Sequence, residues 1–231
     1  MTPVSPDERA SEFGRLAVKK DVIFWDVDTQ YDFMMPDGKL YVPGAEEIVE
    51  QVSEIRKFAL VNGFSILADI DWHSPDDEEI SESPDMKETF PAHCLAGRPG
   101  GERVGYLGEV PIDYIEIDPV EANVLRRLVQ KEQAHIVIRK KTLNVFDNPN
   151  TDRLVEMIGP ARVAVFGVAL DCCVYYVLQG LSRHEGVKLS LLKDATRGLQ
   201  TRPDEKIYSE LERMGIAITT FAELKEGLTC G

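Results

Sequence analysis

No apolar run in the 231-residue chain approaches the ~18 to 20 residues needed to cross a bilayer, so a membrane-spanning helix is excluded. The opening stretch, MTPVSPDERASEF, lacks the apolar centre of a secretory signal, and its acids set it apart from a transit peptide; a cytoplasmic placement follows. Positive charge is scarce: 26 Lys and Arg face 40 Asp and Glu, a net charge of −14. That balance repels phosphate backbones and anionic lipid, so neither nucleic acid nor membrane is an expected partner. Cysteines number four, Cys94, Cys172, Cys173 and Cys230, without disulfide or zinc-knuckle spacing. In a reducing compartment they remain thiols, and any interest in them is chemical. No internal repeat is visible, and 17 Gly and 13 Pro are ordinary usage, which excludes collagen-like and disordered classes.

What is present is a globular composition, 43% hydrophobic and 29% charged, that fits one domain. We place that domain at 21–231, behind an N-terminal extension of residues 1–20. Short β-rich apolar runs alternate with amphipathic stretches. The strand candidates are 22–27, 65–70, 135–140, 162–168, 187–194 and 216–220, with 114–117 a weaker seventh. Helical spacing marks 45–61, which stops at Gly63, as well as 119–132, 150–158, 171–183 and 204–214. The expected class is α/β: a single-domain, three-layer αβα sandwich around a mostly parallel, Rossmann-like sheet of about six strands.

Between Asp69 and Glu88 lie nine acids against one Lys. Composition alone makes this a solvated loop. Its position is more suggestive, because it leaves the C-terminal end of a strand, where open α/β sheets bind ligands. Three strand ends carry reactive groups: Asp28, Lys140 and Cys173. Parallel strands place such ends on one edge, and an acid, an amine and a thiol together there make an activated nucleophile. Asp71 and His73, with His93 further on, form a mixed nitrogen and oxygen set that suits Zn, Fe or Mn better than Ca.

Four blocks, VIFWDVDTQYDF with VPGA, DWH with FPAHC, VIRKKTLNVF, and FGVALDCCV, resemble in order and spacing the isochorismatase-like cysteine hydrolases, above all their nicotinamidase branch. The likeness spans roughly residues 21 to 220. It implies that Asp28, Lys140 and Cys173 are catalytic, with Cys172 a bystander, and that the Val168–Ala169 peptide is cis. The amides of Ala169 and Cys173 would then hold an oxyanion. It also implies a divalent metal, Zn foremost with Fe or Mn as alternatives, bound by Asp71, His73, His93 and Glu79, with Glu82 and Asp85 close enough to compete for the fourth place. Phe33 and Phe90 fall where the family flanks its substrate ring. Leu170 and Arg98 stand where the family has Thr; the first puts the local hydrogen bonding in question, the second implies a pocket of different polarity, and the segment 105–133 is longer than the family core and close enough to Lys140 to reshape the pocket.

The expected activity is hydrolysis of a small amide, nicotinamide to nicotinate and ammonia, through a Cys173 thioester, by a homo-oligomer. Lys140 and a helix opening near Asp171 are expected to lower the Cys173 pKa from its usual ~8.5. Three rivals stand beside this reading. Metal-free members of the same family cleave isochorismate, maleamate, N-carbamoyl or biuret-like compounds. The run Asp26-Val27-Asp28-Thr29 also reads as the D-x-D-x-T start of haloacid-dehalogenase-like phosphatases, with Asp26 as nucleophile. A non-enzymatic metal-storing or scaffold module is the third.

Overall fold

Every residue of β1 (Val22–Val27) is buried, and its alternation sends Ile23, Trp25 and Val27 to one side of the sheet and Val22 and Phe24 to the other. A strand buried on both faces needs helices on both, and parallel strands joined by crossover helices provide them. In the computed structural model, which describes residues 21–229, β1 pairs in parallel with β2 (Ser65–Asp71) and β5 (Arg162–Val168). Beyond β2 lie β4 (His135–Lys140) and the edge strand β3 (Ile112–Ile115); beyond β5 lie β6 (Lys188–Arg197) and β7 (Ala217–Thr219). The order is β3-β4-β2-β1-β5-β6-β7, all parallel. The expected N-terminal extension, residues 1–20, and Cys230 lie outside the described residues.

The single turn α1 (Tyr31–Met34) follows β1. One face of the sheet is covered by α2 (Val49–Val61), through Val52, Ile55 and Ala59, and by α7 (Phe221–Thr229) through Phe221. The other face carries α3 (Ala122–Val129), α4 (Thr151–Ile158), α5 (Cys173–Leu181) and α6 (Asp204–Arg213). The chain leaves β1 for β2 through α2 and reaches β5 from β4 through α4, on opposite faces. That reversal opens a crevice at the C-terminal ends of β1 and β5, where doubly wound sheets bind ligands.

The α/β class, the three layers and the parallel sheet agree with expectation, and three details differ. The weak candidate at 114–117 is a true seventh strand, shifted to Ile112–Ile115 and confined to the edge, where only one neighbour enforces register. β6 runs on to Arg197, past the expected end at 194. α5 opens at Cys173 and not near Asp171, because the Asp171 carboxylate is spent on the next loop, accepting the N–H groups of Leu199 and Thr201 at 2.8 Å each.

Asp26 lies on the same face of β1 as Val22 and Phe24, under α2. Arg56 Nε donates to its Oδ2 at 2.6 Å, Arg103 donates to the same oxygen, and Thr29 Oγ1 donates to Oδ1 at 2.8 Å. Burial alone would raise this carboxyl; the two guanidinium groups overcome it and hold the pKa at about 2. With both oxygens engaged and no exposure, Asp26 has no access to a substrate, which removes the phosphatase reading.

Arg103 also donates to His135 Nε2 at 2.9 Å, so the imidazole is held neutral with its proton on Nδ1. Burial and the Arg103 charge depress its pKa to about 3. An unfolded His titrates near 6.5, so between about pH 6.5 and 3 the unfolded chain binds the extra proton and stability falls as pH falls. Buried carboxyls whose pKa is raised contribute the opposite slope, so the His135 contribution is read by difference: in urea unfolding between pH 7 and 5, His135→Gln and the wild type should differ in slope by up to ~1.4 kcal/mol per pH unit. An identical slope in the variant would show that His135 does not couple to folding.

Candidate active site

The crevice gathers side chains from four strand ends. Asp28 follows β1 with φ 47°, a left-handed conformation that a residue with a Cβ adopts only where its surroundings hold it. Its N–H donates to Asp69 O at 3.1 Å and its carbonyl accepts the N–H of Gln30 at 2.8 Å. At the end of β5, Gly167 passes so close to the Val27 carbonyl that any Cβ would collide with it, and the Val168–Ala169 peptide that follows is cis. Cys173 then begins α5.

Lys140 joins these parts. It ends β4, in register with Asp71 of β2, and is almost completely buried. Its Nζ lies 2.9 Å from Asp28 Oδ2 and 3.8 Å from Cys173 Sγ, and it is also ion-paired to Asp71 Oδ1. The structure therefore brings Asp28, Lys140 and Cys173 into one cluster, as the strand-end pattern predicts. Asp28 and Cys173 also line a narrow cleft together with Ala169, Phe33 and Phe90. Asp28 Oδ1 has no hydrogen-bond partner among the described residues.

The electrostatics depart from expectation at the thiol. Burial pushes Asp28 well above the usual carboxylate range, against the pull of Lys140. Burial disfavours the Lys140 charge, but Asp28 and Asp71 hold its pKa well above normal, so it is an ammonium. Cys173 is raised, not lowered: its hydrogen bond with Cys172 and its burial outweigh Lys140. The negative charge of Asp28 acts on the sulfur as well and opposes the ammonium. Cys172 thus touches the nucleophile and lines the cleft, and the bystander reading does not describe its surroundings.

Beside this cluster, single ligand-type atoms of Asp71, His73 and His93 lie within 4.8 Å of one another, all buried. His93 Nδ1 is 2.8 Å from Pro91 O and donates to it when the ring is neutral, leaving the Nε2 lone pair 3.3 Å from Asp71 Oδ2. His73 Nε2 lies 3.7 Å from both Asp71 Oδ2 and Glu79 Oε2, and neither that nitrogen nor that oxygen has a hydrogen-bond partner among the described residues. Acceptor atoms converging without donors between them fit a bound cation. Asp77, held at 2.6 Å by Lys141, sits 3.4 Å from His73 Nδ1. Among the three competing acids, Glu79 is buried next to His73. Glu82 is exposed, and Asp85 is spent on its own turn, accepting from Lys87, Glu88 and Thr89 at 2.9 Å each.

Phe33 and Phe90 flank His93, with ring centroids 5.5 and 6.1 Å from the imidazole. Leu40, Val42, Leu143 and Leu199 complete the apolar wall, and sequence reasoning did not single them out. Leu143 lies within the VIRKKTLNVF block and could have been suspected; Leu199 follows β6 with no local signal at all. Two expectations fail. Arg98 is exposed and outside the cleft, so it does not set pocket polarity. The segment 105–133 builds β3 and α3 at the sheet edge and contributes no lining residue, because β4 stands between it and the crevice.

A sequence profile of the isochorismatase domain matches residues 23–223. The nicotinamidase of Saccharomyces cerevisiae is 23% identical over 209 residues, covering 83% of this chain and 96% of that protein. The nicotinamidase/pyrazinamidase of Mycobacterium tuberculosis is 25% identical over 202 residues, covering 83% and 92%. The crystal structure of the pyrazinamidase of Pyrococcus horikoshii in complex with zinc superposes with a TM-score of 0.68 at 26% identity, covering 87% of this chain and 99% of that one.

A neutral, buried thiol makes a kinetic statement. Alkylation of Cys173 by iodoacetamide, localised by fragment-ion masses that separate it from the adjacent Cys172, should keep rising with pH to and beyond ~8.5, because thiolate is the reactive form. A rate that levels off below pH 7 would reveal a preformed thiolate and overturn this account of the site.

Proposed function

The chain belongs to the isochorismatase-domain family, and from that premise we propose that it is a metal-dependent cysteine amidohydrolase that converts nicotinamide to nicotinate and ammonia. The observation that carries this reading is the contact of Lys140 with both Asp28 and Cys173, next to an acceptor-only triad lined by apolar side chains.

In the proposed reaction Asp28 accepts the Cys173 proton, and burial, by raising the carboxyl pKa, makes Asp28 a stronger base than a solvated carboxylate. The sulfur attacks the amide carbonyl carbon. The oxyanion is held by the N–H of Cys173, which opens α5 and has no intrahelical acceptor, and by that of Ala169 in the cleft wall. Asp28 returns the proton to the leaving nitrogen, since an amide anion is too basic to depart. A thioester on Cys173 remains; Asp28 then activates water to release the acid. Lys140 keeps Asp28 oriented and balances its charge in both half-reactions.

Asp71, His73, His93 and Glu79 would hold the metal, a donor set suited to Zn, Fe or Mn. When bound there, such an ion supplies a Lewis-acid site that can take a pyridine ring nitrogen and orient the ring. Phe33 and Phe90, which flank His93, would line that position. Among the described residues, the cleft wall includes no Arg or Lys. A substrate with its own carboxylate would enter beside the Asp28 and Asp71 carboxylates with no Arg or Lys of the wall to pair it, which is costly. This favours neutral aromatic amides over maleamate, N-carbamoyl acids or isochorismate.

An ammonia-release assay over nicotinamide, pyrazinamide, maleamate and carbamoyl amides, with metal analysis of the same sample, tests the reading. Nicotinamide and pyrazinamide should be hydrolysed; turnover confined to the anionic amides would overturn the substrate, and absence of a stoichiometric transition metal would favour the metal-free branches. Cys173→Ala should abolish turnover, whereas Cys172→Ala should retain it. Asp28→Asn should slow both acylation and deacylation, by ~10²- to 10⁴-fold overall. A variant that keeps more than a tenth of the rate would refute the role given to Asp28.

A further inference from the structure

Asp71 closes a regular strand, whereas His93 sits on an irregular loop, so the ligand geometry needs something to hold the two in register. The segment after β1 contains two side chains placed to do so. Gln30 is fully buried; its Nε2 donates to the carbonyls of Asp71 at 2.8 Å and Gly101 at 2.9 Å, and its Oε1 accepts the N–H of Asp71 at 2.8 Å. Only this orientation of the amide satisfies all three bonds, since the reverse would set oxygen against two carbonyls. Two residues on, Asp32 Oδ2 accepts the N–H of Cys94 at 2.8 Å and Oδ1 that of Lys39 at 3.1 Å. Cys94 follows His93 and has φ 44°, a left-handed conformation that a non-glycine residue keeps only when anchored. Its carbonyl accepts the N–H of His73 at 3.2 Å. Gly100 lies so close over the Asp32 carboxylate that a Cβ there would strike it, so the loop is shaped to admit this clamp.

We infer that Gln30 and Asp32 are positioning residues that preset the Asp71–His73–His93 triad before an ion arrives. Gln30 acts through the Asp71 backbone, and Asp32 through Cys94, which is bonded to His73 and adjoins His93. The inference rests on the metal reading of that triad. Asp28, Gln30 and Asp32 belong to one five-residue segment, so the proposed base and both clamps move as a unit, and the distance between base and metal site is set in the polypeptide itself.

The test uses the full-length protein stripped of metal, with Zn²⁺ affinity read by competition with a chromophoric chelator and ligand geometry by the visible spectrum of Co²⁺-loaded samples. Gln30→Glu keeps the size of the side chain but turns an oxygen toward the Asp71 and Gly101 carbonyls. Asp32→Asn replaces one acceptor with a donor that faces an N–H. Each should weaken Zn²⁺ binding ~10- to 100-fold and alter the Co²⁺ bands, while iodoacetamide labelling of Cys173 stays within about twofold of wild type, a split that general loosening of the fold would not produce. Gln30→Met, which fills the same space without polar atoms, serves if the glutamate variant does not fold. Wild-type affinity and spectrum in the folded variants would overturn the inference. Failure of the wild-type protein itself to bind Zn²⁺ would overturn the metal reading instead.

Discussion

One buried ammonium sets the terms for the rest of the site. Lys140 reaches across from β4 to pair with Asp71 of β2 and Asp28 after β1, and it can do so only because β4, β2 and β1 are neighbours in that order. Asp69 adds a third buried carboxylate. Trp25 Nε1 donates to it at 2.7 Å, yet burial still pushes its pKa to about 7. One cation cannot balance three carboxylates away from water, and an unpaired buried charge is among the costliest features a fold can carry. Burial shifts Asp28 and Asp69 upward against the pull of Lys140, whereas Lys140 and two imidazoles hold Asp71 well below the usual carboxylate range.

From that charge arrangement the two halves of the crevice acquire different characters. On the Cys173 side, an elevated carboxyl and a neutral thiol can exchange a proton without either being far from its partner's range. On the Asp71 side, the Nε2 atoms of His73 and His93 converge on Asp71 Oδ2, a nitrogen and oxygen donor set that a divalent ion would bridge. Phe33, Phe90, Leu143 and Leu199 give the cleft beside both halves an apolar wall. On the proposed reaction the product carboxylate forms beside ionised Asp71, so its own charge favours departure.

Pattern alone carried the reading furthest where burial is two-sided. β1, β2, β4 and β5 are continuous apolar runs because both faces are covered, and their limits in the sequence match the strands closely. β3 was displaced because an edge strand with one partner writes a weak signal, and the short helix α7 escaped notice because nine residues with a mixed face carry little periodicity. The residues at the strand ends could be nominated from topology, since parallel strands bring such ends to one edge, and the resemblance supplied their roles as expectations.

What the sequence determined by itself was the class of fold, the edge on which chemistry would gather, and the residue types available there, because these follow from periodicity and parallel connection. Only the tertiary structure decided the charge state and the company of those residues. Cys173 is a raised thiol and not a lowered one because its contact with Cys172, its burial and the charge of Asp28, which is distant in sequence, together outweigh Lys140. Glu79 rather than Glu82 or Asp85 meets His73 because of how the acidic loop folds back. Gln30 reads as one polar residue in a motif until its amide is seen to engage Asp71, 41 positions away. Local pattern reports which face a residue is on. Desolvation and hydrogen-bond geometry depend on every neighbour, and most of those neighbours come from elsewhere in the chain.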